Sequence, residues 1–194
     1  MIQNKTRVES IEHAIVDVLE AVGEDPTREG YVISKYQKDI RIVRKDDGAY
    51  LLKSETLVSS SLGESFDFFA SAQNLDLITP PWLRFNMVSK PPIKMFKGAQ
   101  FHYRLRIHRI PVSWRSEIAI WEPPYRFVDR QISGPFKDWS HLHELSTNPS
   151  GGTLITDQVE YRVPFGKIAH SIFVGSALLK IFRFRNQQVE KILS

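Results

Sequence analysis

The segment Asp138 to Leu145 carries two imidazoles two residues apart, His141 and His143. On a β-strand that spacing puts both on one face, together with Trp139 and Leu145. Two other stretches offer partners with the same period: Phe127, Asp129 and Gln131, and Ile155, Asp157, Val159 and Tyr161. If the aromatic members mark the inner face, two carboxylates, an amide and two imidazoles lie inside. A tightly packed core rarely accepts that many polar groups without partners. An aromatic pocket with a few convergent polar groups does accept them.

Several chemistries are open to this set. It can form a satisfied buried network that braces the sheet. It can contact a small molecule. His141 or His143, oriented by Asp129, can act as a general acid or base, which a cyclase or dehydratase would need. Two histidines with Asp129 or Asp157 as third ligand can chelate a metal, whereas Glu144 points the other way. No GxSxG, P-loop, GxGxxG or HExxH motif supports a more specific reaction. The chain has no cysteine, so thiolate zinc sites, cysteine nucleophiles and disulfides are ruled out.

These side chains need strands to hold them. From Trp82 onward the hydrophobic period is two, with strands predicted at 82–88, 99–109, 112–121, 125–133, 137–145 and 153–163. An earlier strand runs from Tyr50 to Ser59, and Leu62–Ala70 and Ala72–Ile78 read as short helices with Phe66, Phe69 and Leu75 facing in. The proline pairs at 80–81, 91–92 and 123–124 fall between strands. A hairpin around Ile110-Pro111 would set Ile107 beside Trp114, Leu105 beside Ser116, Tyr103 beside Ile118 and Phe101 beside Ile120. Arg104 would then sit beside Glu117 and Arg106 beside Arg115, on the opposite, charged face.

The stretch Phe165 to Leu193 reads as one long helix. Ser176, Lys180, Arg183 and Gln187 form a narrow wet stripe, and apolar residues fill most of the remaining circumference. Gly175 lies within the apolar arc, where it serves either close approach to the sheet or cavity space. At the other end, Val8, Ile11, Ile15 and Val22 lie on one face of a helix over residues 4–22, which Gly23 stops.

The 194 residues are 42% hydrophobic and 25% charged, enough to bury one core plus an appendage. Residues 166–194 carry the whole net charge of +4. Such a basic helix could touch an anionic membrane surface, although these charges are more often the solvated edge of a core helix. No basic, aromatic-interleaved module points to nucleic acid. The N-terminus has no apolar signal segment and no stretch is long enough to span a bilayer, so a cytoplasmic location is expected.

Two resemblances sharpen this reading. The run SIEHAIVDVLEAVGEDPTREG, residues 10–30, resembles the N-terminal segment of GTP cyclohydrolase I. That family's Cys–His zinc site has no counterpart here, so the resemblance implies a borrowed helical appendage, suited to self-association, without that activity. The stretches NLDLITPPWLRF (74–85), YRLRIHRIPVSW (103–114), FVDRQISGPFKDWSHLH (127–143) and GGTLITDQVEYRVP (151–164) resemble the SRPBCC superfamily. Within it they look like the polyketide cyclase-like or coenzyme-Q-binding START-like bacterial branch, over about residues 50–190. The implied fold is α+β: a START-like helix-grip, with a curved antiparallel sheet of about seven strands wrapped on the long C-terminal helix.

The expected organisation is an appendage over 1–30, a connector over 31–48 that has room for a short strand at Ile40–Val43, and a ligand-binding domain over 49–194. The expected role is non-catalytic binding of an apolar or amphipathic small molecule, such as a lipid, quinone or polyketide-like compound. Tyr103, Trp114, Asp129, Gln131, Trp139, His141, His143, Asp157, Tyr161 and Gly175 would line the cavity. No metal and no cofactor is expected. A cyclase- or dehydratase-type enzyme using His141 or His143 with Asp129 stands as one alternative. A membrane or protein adaptor stands as another, using the N-terminal helix to form a homo-oligomer and the basic C-terminal helix to dock.

Overall fold

Alternation is cleanest in β2 (Tyr50–Val58), where Tyr50, Leu52, Ser54, Thr56 and Val58 are buried and the residues between them are not. In this computed structural model the described residues are 40–89, 95–107 and 109–194. The chain divides into Met1–Ile33 and Ser34–Ser194, and every described residue belongs to the second unit. The helix expected over 4–22, the GTP cyclohydrolase I-like segment and the start of the connector therefore lie outside the described residues.

The strands are β1 (Ile40–Arg44), β2, β3 (Asn86–Met87), β4 (Gln100–Ile107), β5 (Ile110–Glu122), β6 (Arg126–Ser133), β7 (Asp138–Thr147) and β8 (Thr153–Arg162). They form one eight-stranded sheet in the order β1-β2-β8-β7-β6-β5-β4-β3, with every pairing antiparallel. The short strand allowed for in the connector is thus β1, an edge strand paired to β2.

Between β2 and β3 lies α1 (Leu62–Ala70), opened by a capping box. The Glu64 amide donates to Ser61 Oγ at 3.4 Å, and Ser61 N–H donates to Glu64 Oε2 at 3.0 Å. This helix buries Phe66 and Phe69. The second expected helix is a 3-10 turn, Ala72–Leu75. The strand expected at 82–88 does not form at that length. Pro80-Pro81 instead starts a 3-10 turn, Pro81–Leu83, and only Asn86 and Met87 pair with β4. Proline at the first helical position has no donor to lose there, which favours the turn.

The β4–β5 hairpin keeps the expected faces but not the expected register. Tyr103 pairs with Trp114, Phe101 with Ser116 and Ile107 with Ile110, so the turn comes before Ile110 and Arg109 takes φ +71°. The shift from the expected pairing is an even number of residues, so Phe101, Tyr103, Leu105, Trp114, Ser116 and Ile118 still face inward and are buried. Ile120 does not. A bulge between Ile118 and Ile120 turns Ile120 outward and brings Trp121 in, opposite Phe127.

The terminal helix has three consecutive parts: α2 (Gly166–Ala169), a π-helical segment His170–Val174, and α3 (Gly175–Leu193). Ser176, Lys180, Arg183 and Gln187 are exposed as expected, while Leu178, Leu179, Phe182 and Val189 are buried. Arg185 is buried too and leaves the solvated basic edge.

Candidate functional site

The inner face of the sheet resolves into rows of neighbouring residues that cross the strands. One row runs Tyr50–Tyr161–Trp139 and continues through ring contacts to Phe136, Trp114 and Tyr103. The next runs Leu52–Val159–His141–Asp129–Ile118. A third runs Ser54–Asp157–His143–Phe127–Trp121. Every site residue expected on β4 to β8 lies on this face, but the rows divide them by role.

The third row is closed by the terminal helix. His141 Nε2 and His143 Nδ1 both reach Asp157 Oδ1, at 2.9 and 2.8 Å. Arg185 Nε donates to Asp157 Oδ2 at 3.3 Å, and Asn186 Nδ2 donates to Ser54 Oγ at 2.8 Å. Asp157 therefore orients the imidazoles, rather than Asp129, which the cyclase or dehydratase alternative would use. Arg185 Nη2 also lies 3.2 Å from His143 Nδ1, an atom that cannot donate to Asp157 and accept from Arg185 at once. The carboxylate is the stronger acceptor, so the proton belongs on Nδ1, pointing at Asp157.

Burial works to raise the Asp157 pKa, but the Arg185 guanidinium and the two imidazole hydrogen bonds outweigh it and hold the carboxyl well below its usual range. Burial, with help from the neighbouring His141, pushes His143 down to about 3. His143 is thus a neutral ring, stacked on Phe127 with centroids 4.2 Å apart.

By spacing alone, His141, His143 and Asp157 could hold a metal, since their ligand atoms lie within 4.8 Å of one another. The charges argue otherwise. The Arg185 guanidinium already neutralises Asp157 and sits against the ring nitrogen that would ligate, so a divalent ion would add uncompensated positive charge in a buried place. The residues do not fit a resident metal while Arg185 is in position.

Gln131 is also accounted for. Its Nε2 donates to the Phe136 carbonyl at 2.8 Å and ties down the β6–β7 turn, where Gly134 leaves the room that the Gln131 amide fills. Gly175 likewise leaves room for a side chain of its own helix. A Cβ there would lie 3.0 Å from His170 Cε1, so neither an open cavity nor the sheet backbone occupies the gap. His170 stacks on Tyr50 at 3.5 Å and shares a hydrogen bond with the Tyr161 hydroxyl at 2.8 Å, and burial pushes its pKa down to about 4. The π-helical turn lets the ring fold back over the glycine. Gly175→Ala, normally worth about 1 kcal/mol in a helix, is therefore expected to leave the melting temperature unchanged or lower it. A clear rise in Tm would contradict this packing.

The first and second rows hold the unsatisfied groups. Tyr50 Oη, Trp114 Nε1 and Asp129 Oδ1 are closed off from solvent and have no hydrogen-bond partner. Asp129 as a residue is half-buried, but its Oδ1 is not reached by water. Burial raises its pKa, against the opposing effects of the His141 charge, a hydrogen bond with the Ser116 hydroxyl and the Arg185 charge, so the carboxyl as a group has one polar neighbour while Oδ1 has none. Burial also pushes the Tyr103 phenol well up, and the Asp129 charge adds to this.

Sequence reasoning missed Tyr50, His170 and Arg185. Arg185 left a signal: it lies two residues from the wet stripe at Arg183, which places it about 200° round the helix, on the apolar arc.

No protein-family model matches the sequence, and neither does any curated protein. Solved structures do match. Ginseng major latex-like protein 151 from Panax ginseng superposes with a TM-score of 0.57 at 14% identity, covering 75% of this chain and 98% of its own. A START superfamily protein from Mycobacterium smegmatis gives 0.56 at 10% identity, over 73% of this chain and 98% of its own. The chain has a START-like helix-grip fold. Protein Ms6760 from Mycobacterium smegmatis matches over 79% of the START-like chain and 97% of its own, with a TM-score of 0.56 at 14% identity. At these identities the likeness speaks for the fold alone. Among the described residues, no helix of the START-like chain is long and apolar enough to cross a membrane.

Proposed function

We propose that this START-like chain binds an apolar or amphipathic small molecule non-covalently between the inner sheet face and the terminal helix. The observation that carries the proposal is the set of three buried, unpartnered polar atoms on an aromatic face, Tyr50 Oη, Trp114 Nε1 and Asp129 Oδ1. A buried polar group left unpaired costs roughly 1–3 kcal/mol, and a bound molecule can recover that cost. In a purely structural core, selection would remove such groups or pair them. The neighbouring cluster of Asp157, His141, His143 and Arg185 shows the paired condition on the same face.

In this reading Tyr103, Trp114, Trp139, Tyr161 and Asp129 contact the ligand. His141, His143 and Asp157 form the wall beside it, braced by Arg185, and Gln131 and Gly175 act through the turn and through His170. Lipids, quinones and polyketide-like compounds share the required character, an extended apolar body with few polar groups. Native mass spectrometry of the full purified chain tests the proposal. A non-covalent adduct of small-molecule mass, released on denaturation, is expected. A protein that carries none and takes up no apolar compound at micromolar concentration would contradict it.

A further inference from the structure

Between Leu77 and Ser116 the sequence has eight lysines and arginines and no aspartate or glutamate. The rest of residues 1–165 is acidic in balance, so positive charge is gathered on the stretch that forms β3, β4 and the start of β5.

The pairing of β4 with β5 decides where that charge points. His102, Arg104 and Arg106 alternate with the buried Phe101, Tyr103 and Leu105, so they stand on the outer face of the sheet, opposite the core. Arg115 lies across from His102, and Ser113 across from Arg104, on the same face. Arg109 is exposed in the turn between the strands. His102 Nε2 meets Ser113 Oγ at 2.9 Å, and Arg115 Nε donates to Ser133 Oγ at 3.1 Å. Among the described residues, no carboxylate pairs with Arg104, Arg106, Arg109 or Arg115. Glu117, the next acid along β5, lies 3.9 Å from Arg130. Planar guanidinium forks without a partner suit carboxylates or phosphates, which they grip by two hydrogen bonds.

Shape and composition narrow what brings those anions. No Phe, Tyr or Trp stands on this face of β4, or of β5 as far as Arg115, so nucleic-acid bases have nothing to stack on. The exposed apolar residues that flank it across the strands, Val88 beside β4 and Ile132 on β6, lie on opposite sides and form no joint anchor for a bilayer. An extended peptide fits better. Its alternate side chains recur every ~6.6 Å, the same period as Arg104 and Arg106 on β4. The edge of the sheet favours it too. His102 turns its main-chain N–H and C=O toward the β3 side, and Arg104 and Arg106 follow by alternation. β3 stops opposite Arg104 at Asn86, and the chain before it turns away through Arg84 at φ 45°. The Arg106 main chain is thus left open to a further strand.

We infer that the outer face of β4 and β5 docks an extended acidic segment of a partner protein, whose alternate carboxylates meet Arg104, Arg106 and Arg115.

Fluorescence anisotropy of labelled ten-residue peptides, titrated with the full chain at low salt, tests this. An alternating Glu-Ser peptide is expected to bind, and a Gln-Ser peptide of the same pattern is not. A peptide with its five glutamates in one block has the same charge but sets fewer of them on one face, and should bind about threefold more weakly. Arg104→Gln, Arg106→Gln and Arg115→Gln combined should cost about tenfold in affinity and leave the melting temperature unchanged, since all three side chains are exposed. The control Lys167→Gln, Lys180→Gln and Lys191→Gln removes the same charge from the exposed side of the terminal helix and should leave affinity within about twofold. Should the arginine variant fail to fold, Arg104→Lys with Arg115→Lys keeps the charge, loses the forks and should still weaken binding about threefold. Equal losses in the two triple variants would reduce the effect to net charge and overturn the site. A charge-matched oligouridylate, or phosphatidylserine vesicles, bound more tightly than the Glu-Ser peptide would overturn the assignment of the partner. So would a Glu-Ser peptide that does not bind at millimolar concentration.

Discussion

Arg185→Leu is expected to destabilise the domain by about 3–5 kcal/mol, the largest effect of any single substitution considered. The guanidinium donates to Asp157 Oδ2 at 3.3 Å and lies over the Phe69 ring with its Cζ 5.3 Å from the centroid. Its removal leaves a buried carboxylate facing two imidazoles, one of which is already held neutral by burial. The domain would answer by protonating Asp157 or by admitting water, and either loosens the contact between α3 and the sheet. Chemical denaturation at pH 7 measures the loss. A double variant, Arg185→Leu with Asp157→Leu, should recover part of it, because an apolar pair costs less than one unpaired charge. A single variant within about 1 kcal/mol of the unaltered chain would show that the buried pair does not anchor the helix.

Stability is also expected to fall as pH drops below neutrality. An unfolded histidine titrates near 6.5, whereas folded His143 is held at about 3. Between these values the unfolded chain takes up a proton that the folded chain refuses, so folding loses free energy as pH falls. By pH 5 the loss from His143 alone is on the order of 2 kcal/mol. His170, at about 4, contributes in the same direction over a narrower window. Asp157, held low, adds its own loss only at more acidic pH, as the unfolded carboxylates protonate. Asp129 acts oppositely: its raised pKa means that protonation relieves a cost. Denaturation midpoints from pH 7.5 to 4.5 should show a steep decline that flattens in His143→Phe, where the ring stack on Phe127 can persist. A midpoint independent of pH over that range would contradict the buried neutral ring.

Much of this architecture could be read from alternation, because alternation encodes which face a residue takes. Tyr103, Trp114, Trp139 and Tyr161 were all placed inward correctly, even though the β4–β5 pairing differs from the one expected. Register was not legible, since the turn before Ile110 depends on backbone geometry at Arg109 that no hydrophobic pattern reports. The bulge that exchanges Ile120 for Trp121 is hidden for the same reason.

The site was legible as a set of residues but not as a wiring diagram. His141 is flanked by Asp129 on one side and Val159 on the other, and His143 by Phe127 and Asp157. The choice between the two carboxylates is made by Arg185, which arrives from the terminal helix, distant in sequence. That choice leaves Asp129 with the Ser116 hydroxyl as its polar neighbour. Gly175 was ambiguous because the side chain that fills its space, His170, reaches it only through a π-helical turn.

The central claim is that a small molecule completes the hydrogen bonding of the inner sheet face, and the indole N–H of Trp114 reports on it most directly. The chain has four tryptophans, so a heteronuclear NMR spectrum of the ¹⁵N-labelled protein carries four indole signals, assignable by Trp→Phe substitution. Trp82 is 56% exposed and serves as a built-in control. On titration with 1,4-naphthoquinone, a quinone of the proposed ligand class, the Trp114 indole proton should move downfield in a saturable way as it gains an acceptor, with Trp139 following through ring contact and Trp82 staying in place. A Trp114 signal that does not move while the probe binds, or movement confined to Trp82, would contradict the account.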